Sequence, residues 1–406
     1  MYLDFVSSRL YDFKENKWGD AYYLVFVLVP ENPPQVKLLT IAKEDEINTH
    51  INNYLAEMSK PEIHQGRVMP KVSKLNEEAK ALYEKVLKPL EPYFKGKKSI
   101  YISPDGNLNL IPFEAFVMPD GKYLMEEYEI DYITAGRDII RFTDTAKAED
   151  RVLIMADPDY DMGLEDIQKE TAELNLTSLK GEVSAALSEM EFPRLPETKD
   201  EADAIEKLIH GKYEVKNLQD KKAIEEALLD TKKPRLVHLS THGFFLKDEK
   251  LEPEDVIQFQ SIDEIKPARI ENPMLRSGLV FAGVNKSIKE GRDDGILTAE
   301  KILGLRLKGT EFVVLSACKT GTGNVNTGEG VFGLKRAFIL SGAKTVVISL
   351  WSVPSKETTE LMTDFYQLME KGKTKAEALK QAKLNMKAKN ENPFYWGAFV
   401  MVGNPE

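Results

Sequence analysis

One cysteine and five histidines are available for chemistry in this chain of 406 residues. The cysteine, Cys318, follows the apolar run Phe312-Val313-Val314-Leu315 and lies in Ser316-Ala317-Cys318-Lys319-Thr320-Gly321. A buried strand that turns small and polar at its carboxyl end is where open α/β sheets present ligands. His242 occupies the same kind of position, in Ser240-Thr241-His242-Gly243 after the apolar strand 235–240. If the two strands are neighbours, thiol and imidazole share one sheet edge. A cysteine nucleophile acts as the thiolate, and a nearby imidazole accepts its proton. Gly243 leaves room for a substrate carbonyl to reach its backbone N–H, an oxyanion donor alongside the N–H of Cys318. Cys318 alone reads first as a small buried apolar residue. The second strand end, His242-Gly243, tips the reading toward catalysis.

Other motifs carry less. His238 and His242 have the H-x-x-x-H spacing, but on a strand rather than a helix, and Leu239 stands where a zinc protease needs Glu. No metal or other cofactor is therefore expected, and His238 reads as a satisfied core residue. Gly328, Gly330 and Gly333 match G-x-G-x-x-G only after a long loop, and no acidic residue ends the following strand. They fit a helix packed tightly on the sheet better than a dinucleotide site.

Around these residues the chain alternates strand and helix from about residue 150, the signature of a parallel sheet. Strands are expected at 152–155, 213–215, 235–240, 312–315, 344–350 and 395–402, and 278–282 is an apolar stretch. Helices are expected after the capping boxes Thr198-x-x-Glu201 and Thr374-x-x-Glu377. Residues 159–196, 246–272 and 321–327 read as polar loops or insertions. Before residue 147, a hairpin is expected at 21–29 and 35–41, helices at 43–58 and 72–90, and strands at 99–103 and around 123–134. Residues 1–20 read as a linker or short helix. The first half, with no cysteine and only His50 and His64, is expected to be non-catalytic. The division is thus 1–147 and 148–406.

Net charge is −11, from 55 basic and 66 acidic residues, which argues against a dedicated nucleic-acid surface. An apolar fraction of 42% is ordinary for a globular protein. The longest apolar run, 21–29, is far too short to span a membrane, and acidic residues precede it where a signal peptide is basic. One cysteine permits no internal disulfide, and a cytoplasmic location is expected.

The sequence also resembles the CHAT domain family, caspase- and separase-like cysteine peptidases. The resemblance rests on Tyr101-Ile-Ser-Pro-Asp-Gly-Asn-Leu-Asn-Leu-Ile-Pro-Phe-Glu-Ala115, Leu236-Val-His-Leu-Ser-Thr-His-Gly243 and Leu275-Arg-Ser-Gly-Leu279. It continues through Asp294-Gly-Ile-Leu-Thr-Ala-Glu300, Val314-Leu-Ser-Ala-Cys-Lys-Thr-Gly321, Gly328-Glu-Gly-Val331 and Ser349-Leu-Trp351. It implies a caspase-like α/β fold, a mostly parallel sheet flanked by helices, with a degenerate N-terminal copy. It implies a His242–Cys318 dyad, a protein substrate, and a regulated bacterial response. Lys319 stands where the family usually has Glu. Pro354 and Ser355 follow Trp351 where relatives often carry an acid. Helical TPR repeats usually precede the domain and none is visible here, so an activating chain, TPR-type or other, is an expected partner. The substrate pocket is expected to involve Asp157, Trp351, Ser352 and Ser355, with Asp157 either pairing a Lys or Arg ahead of the cut or serving as a turn residue. The competing function is an inactive scaffold or ligand-binding module of the same fold.

Overall fold

The computed structural model describes residues 1–31, 33–58, 63–64, 67–68, 71–174, 176, 184–246, 272–316, 318–319 and 328–406, with the backbone alone at 63–64, 67–68, 185, 318–319 and 328–329. The expected loop at 321–327 and most of the expected insertion at 246–272 lie outside these residues.

Strands come first from β1 (Tyr2–Asp12), β2 (Lys17–Val29) and β3 (Gln35–Lys43), an antiparallel meander. Residues 1–20 are therefore mostly strand, not linker or helix. Leu3 and Phe5 alternate inward with half-buried Asp4 and Val6, the period-2 pattern of a sheet with one face covered. A two-stranded ribbon, β4 (Ile63–His64) and β5 (Arg67–Val68), stands apart. Next come β6 (Ser99–Ser103) and β7 (Glu129–Tyr132). The region read as strands around 123–134 holds only β7, preceded by the helical turn Leu124–Glu127.

The second half supplies β8 (Glu149–Pro158), β9 (Glu214–Asp220), β10 (Pro234–Ser240), β11 (His242–Phe245), β12 (Ser277–Val280), β13 (Ile296–Thr298), β14 (Phe312–Leu315), β15 (Cys318–Lys319), β16 (Thr345–Ser349) and β17 (Phe399–Gly403). Eleven strands form one sheet in the order β3-β2-β1-β6-β7-β17-β16-β14-β10-β8-β9. Strands of 1–147 fill one side and strands of 148–406 the other, meeting where β7 runs parallel to β17. Pairing is mostly parallel, with antiparallel contacts in the β1–β3 meander and between β16 and β17. The central strands β14 and β16 are buried at every position, as required when helices cover both faces. A smaller sheet, β13-β12-β11-β15, lies beyond the carboxyl ends of β10 and β14.

Helices Gly328–Leu340, Ser355–Glu370 and Lys375–Lys389 link or follow the central strands. The box at Thr374 and Glu377 caps its helix as expected. The one expected at Thr198 does not form. Thr198 Oγ1 donates to Leu195 O at 2.8 Å and accepts from the Asp157 N–H at 2.9 Å, while Glu201 is buried against the sheet. Residues 159–196 are also more structured than a loop, with a helix at Leu164–Glu173 and a 3-10 turn at Ala185–Glu189.

Candidate active site

Strands β16, β14, β10 and β8 lie side by side and parallel, so their carboxyl ends form one edge. Every residue placed in the dyad or the substrate pocket from the sequence lies along it. Asp157 ends β8, His242 and Gly243 follow β10, Cys318 follows β14, and Trp351, Ser352 and Ser355 follow β16. Pairing between β10 and β14 runs in register to Leu239 opposite Leu315. Both chains then step into the small sheet, where His242 pairs with Cys318 and Gly243 with Lys319. The backbones of the two candidate reactive residues are thus ladder neighbours, at the ordinary strand spacing of about 4.8 Å.

His242 is only 1% exposed. Its ring stacks on Tyr160, with centroids 5.1 Å apart, and tilts against Phe192 at 5.9 Å. Its backbone N–H donates to the Tyr160 hydroxyl at 3.2 Å, and that hydroxyl lies 2.9 Å from Thr241 Oγ1. Nε2 lies 2.7 Å from the carbonyl oxygen of Pro193. A carbonyl only accepts, so Nε2 carries the proton and Nδ1 the lone pair. Nδ1 is buried and has no hydrogen-bond partner among the described residues. Burial lowers the His242 pKa below its ordinary 6.5, outweighing the opposing pulls of the Pro193 carbonyl and Glu197. The ring is therefore neutral at neutral pH, with its lone pair on Nδ1.

Arg194 anchors the strand of chain that supplies that carbonyl. Its Nε and Nη2 donate to Asp157 Oδ1 and Oδ2 at 3.0 and 2.8 Å, and Nη1 reaches Asp220 Oδ1 at 2.9 Å and Asp159 Oδ1 at 3.6 Å. These carboxylates, the Asp157 bond first, push the Arg194 pKa upward. Asp157 and Asp220 both adopt positive φ, 45° and 56°, uncommon for non-glycine residues. The Asp157 carboxylate is thus already held by an internal guanidinium.

Trp351 is 7% exposed, donates from Nε1 to Phe394 O at 2.8 Å, and meets Tyr54 edge-on. Ser352 is exposed, and Ser355 opens the helix Ser355–Glu370, half-buried. His238 is fully buried between Tyr366 Oη and Ser240 Oγ, the satisfied core residue expected. Among the described residues no group of three His, Cys, Asp or Glu side chains is arranged to hold a metal.

Sequence reasoning missed Pro193, Arg194 and Glu201. The first two lie in the stretch read as a loop, and their partners are distant in the chain, so no local pattern marks them. Glu201 was hidden behind its resemblance to a cap.

The CHAT domain model matches residues 76–404. Tetratricopeptide repeat protein 28 of Mus musculus and that of Homo sapiens are each 32% identical over 111 residues, 27% of this chain and 4% of theirs. The chain therefore spans only a small part of these curated relatives. Among solved structures, the Saccharomyces cerevisiae separase–securin complex aligns over 82% of this chain and 17% of that one, at 13% identity and TM-score 0.41. The Arg-specific cysteine proteinase gingipain R aligns over 83% and 68%, at 10% identity and TM-score 0.40.

Proposed function

This chain belongs to the CHAT domain family, and from that premise we propose that it is a cysteine endopeptidase with His242 and Cys318 as its dyad. The observation that carries the proposal is the ladder pairing of His242 with Cys318, combined with a neutral, buried imidazole whose Nδ1 has no partner among the described residues. In this mechanism Nδ1 takes the thiol proton, and the thiolate sulfur bonds to the scissile carbonyl carbon. The N–H groups of Gly243 and Cys318 stabilise the resulting oxyanion. The imidazolium returns its proton to the leaving amine as the C–N bond breaks, leaving a thioester. Water then attacks the thioester, its proton passing to Nδ1, and releases the acid and the thiol.

The Pro193 carbonyl holds the productive tautomer throughout, and Arg194 holds Pro193. On the substrate side the proposed contacts are Trp351, Ser352, Ser355 and Asp157. Asp157 contributes directly only where a substrate cation shares or displaces Arg194. Three carboxylates facing one guanidinium leave an acidic excess there, which favours a basic residue ahead of the cut. The substrate is a partner protein in a regulated bacterial response in the cytoplasm, and a separate chain activates the enzyme. The burial of His242 supports such latency, since substrate must gain access before the base can act. Among the described residues no helix is long and apolar enough to cross a membrane. The same burial is what an inactive scaffold of this fold would show.

A thiol-directed electrophile separates the two readings. The peptidase is labelled rapidly at Cys318, and His242→Ala slows the labelling sharply. Slow labelling indifferent to His242→Ala favours the scaffold.

A further inference from the structure

Beneath the dyad edge lies a buried acid, Glu201, on the helix Thr198–Ile209 and 3% exposed. Its Oε2 accepts two hydroxyl hydrogen bonds, from Ser240 Oγ at 3.1 Å and from Ser316 Oγ at 3.0 Å. Ser240 is the last residue of β10, and Ser316 follows directly on β14. Each stands two residues ahead of a member of the dyad. One carboxylate oxygen therefore ties together two strands at points equally far along the chain from His242 and Cys318.

The place of this tie is informative. The paired register of β10 and β14 ends at Leu239 and Leu315, and register resumes at His242 and Cys318 in the small sheet. Glu201 bridges the step between them. Its own position is fixed from behind. Ser240 has one hydroxyl hydrogen, which goes to Glu201, so Ser240 Oγ accepts from His238 Nε2 at 3.0 Å. His238 Nδ1 then accepts from the Tyr366 hydroxyl at 3.1 Å. Burial, with Glu201 adding to it, keeps the Tyr366 phenol protonated and able to donate. His238 Nε2 also lies 3.2 Å from Glu201 Oε1. The chain Tyr366–His238–Ser240–Glu201–Ser316 runs from a helix on one face, through one strand end, to the other.

We infer that Glu201 is a positioning residue for the dyad. It sets the step that both strands take before His242 and Cys318, and so fixes the spacing on which proton transfer between them depends. The inference rests on the peptidase reading of that pair. A purely structural acid would stabilise the fold through the same bonds, yet leave the protonation of the thiol unaffected. That difference is measurable, because the chain has one cysteine and alkylation therefore reports on one thiol.

The experiment is the rate of Cys318 alkylation by iodoacetamide against pH, with thermal midpoints recorded in parallel. The variants are His242→Ala, Glu201→Gln, Ser240→Ala, Ser316→Ala and the double serine variant. In the parent protein the midpoint is expected well below the ordinary thiol value of about 8.5, and His242→Ala returns it toward that value. Glu201→Gln and the double serine variant are expected to move it about one pH unit the same way, slowing alkylation about tenfold at pH values well below the midpoint. Combining Glu201→Gln with the serine changes should add little, since all act through one carboxylate. Should Glu201→Gln not fold, the serine variants carry the same test. Folded Glu201 and serine variants with the parent's profile, alongside a shifted His242→Ala, overturn the inference and leave the dyad standing. A profile untouched by His242→Ala removes the dyad reading and this inference with it.

Discussion

The two sides of the eleven-stranded sheet treat their strand ends differently. On the C-terminal side, the carboxyl ends of β10 and β14 lead to His242, whose Nδ1 is unpartnered among the described residues, and to Cys318 beside it. On the N-terminal side, the carboxyl ends of β6 and β7 lead to polar groups that are already in use. Asp105 accepts the Ser7 N–H at 2.7 Å, and Asp138 accepts the N–H groups of Thr134 and Ala135 at 3.1 and 3.0 Å. Asn109 binds the carbonyls of Pro104 and Gly106 and accepts from Lys335 Nζ. The two sets of ends also open on opposite edges, because β17 runs antiparallel to β16 and parallel to β7. Similar strand-and-turn geometry therefore serves turn closure on one edge and, on the other, carries the pair proposed for proton transfer.

Substitutions should separate the two sides. The largest effect is expected at the dyad. Cys318→Ala or His242→Ala should lower peptide-bond hydrolysis at least about a thousandfold with little change in melting temperature. On the other edge, Asp105→Ala should cost roughly 1–3 kcal/mol of stability through the lost bond to Ser7 while sparing kcat in the folded protein. A loss of turnover there comparable with the dyad's would break the comparison.

Next in size is Gly243. A Cβ built there meets its nearest neighbours at 3.5–3.7 Å, ordinary contact distances. Gly243→Ala should fold, yet its methyl group narrows the approach to the backbone N–H, lowering kcat/KM about tenfold to a hundredfold. Unchanged kinetics would move the oxyanion donors elsewhere. A comparable loss, about tenfold, is expected for Arg194→Ala, and it should fall on kcat more than on KM, because Arg194 acts through Pro193 and His242. A change confined to KM or to residue preference would recast Arg194 as a substrate contact.

Much of this was legible beforehand, and the misses have a common cause. The apolar runs ending at Ser240 and Leu315 announce buried parallel strands, and the small polar residues after them mark the strands' carboxyl edge. The Thr-x-x-Glu pattern shows the limit. At Thr374 and Glu377 it is exposed and forms a reciprocal cap, with Thr374 Oγ1 3.3 Å from the Glu377 N. At Thr198 and Glu201 it is buried, and two serines from distant strands take the carboxylate instead. Burial decides between local and long-range partners, and a local pattern does not encode burial. The same holds for Pro193 and Arg194, whose partners lie from 26 to 49 residues away. The paired serines, each two residues ahead of a candidate dyad residue, were the available signal for a shared partner.

The pH dependences sharpen the contrast further. His242 must be neutral to accept the thiol proton, and burial holds its pKa below 6.5. Activity should therefore persist as pH falls through 6.5, and the acid limb of kcat/KM should lie lower. A limb centred at or above 6.5 would mean that the ring is solvated in the working enzyme. Lys335, joining the two sides at Asn109, gives a smaller effect on stability. Burial pushes its pKa down to about 7. Between pH 7 and the unfolded value near 10.5 the unfolded chain holds a proton that the folded protein lacks, so this group's contribution to stability rises with pH. Lys335→Met should remove that rise, its unfolding free energy losing ground to the parent's from pH 7 to pH 9 by an amount on the order of 1–3 kcal/mol. Parallel curves for the two proteins would show that Lys335 is charged in the fold.

The most direct test of the central claim is a mass-spectrometric survey of new peptide termini after incubation of a peptide library with the protein and with its Cys318→Ala and His242→Ala variants. The account predicts termini from the parent protein, enriched in Lys or Arg ahead of the cut, that both variants fail to produce. The same termini from folded Cys318→Ala would contradict it.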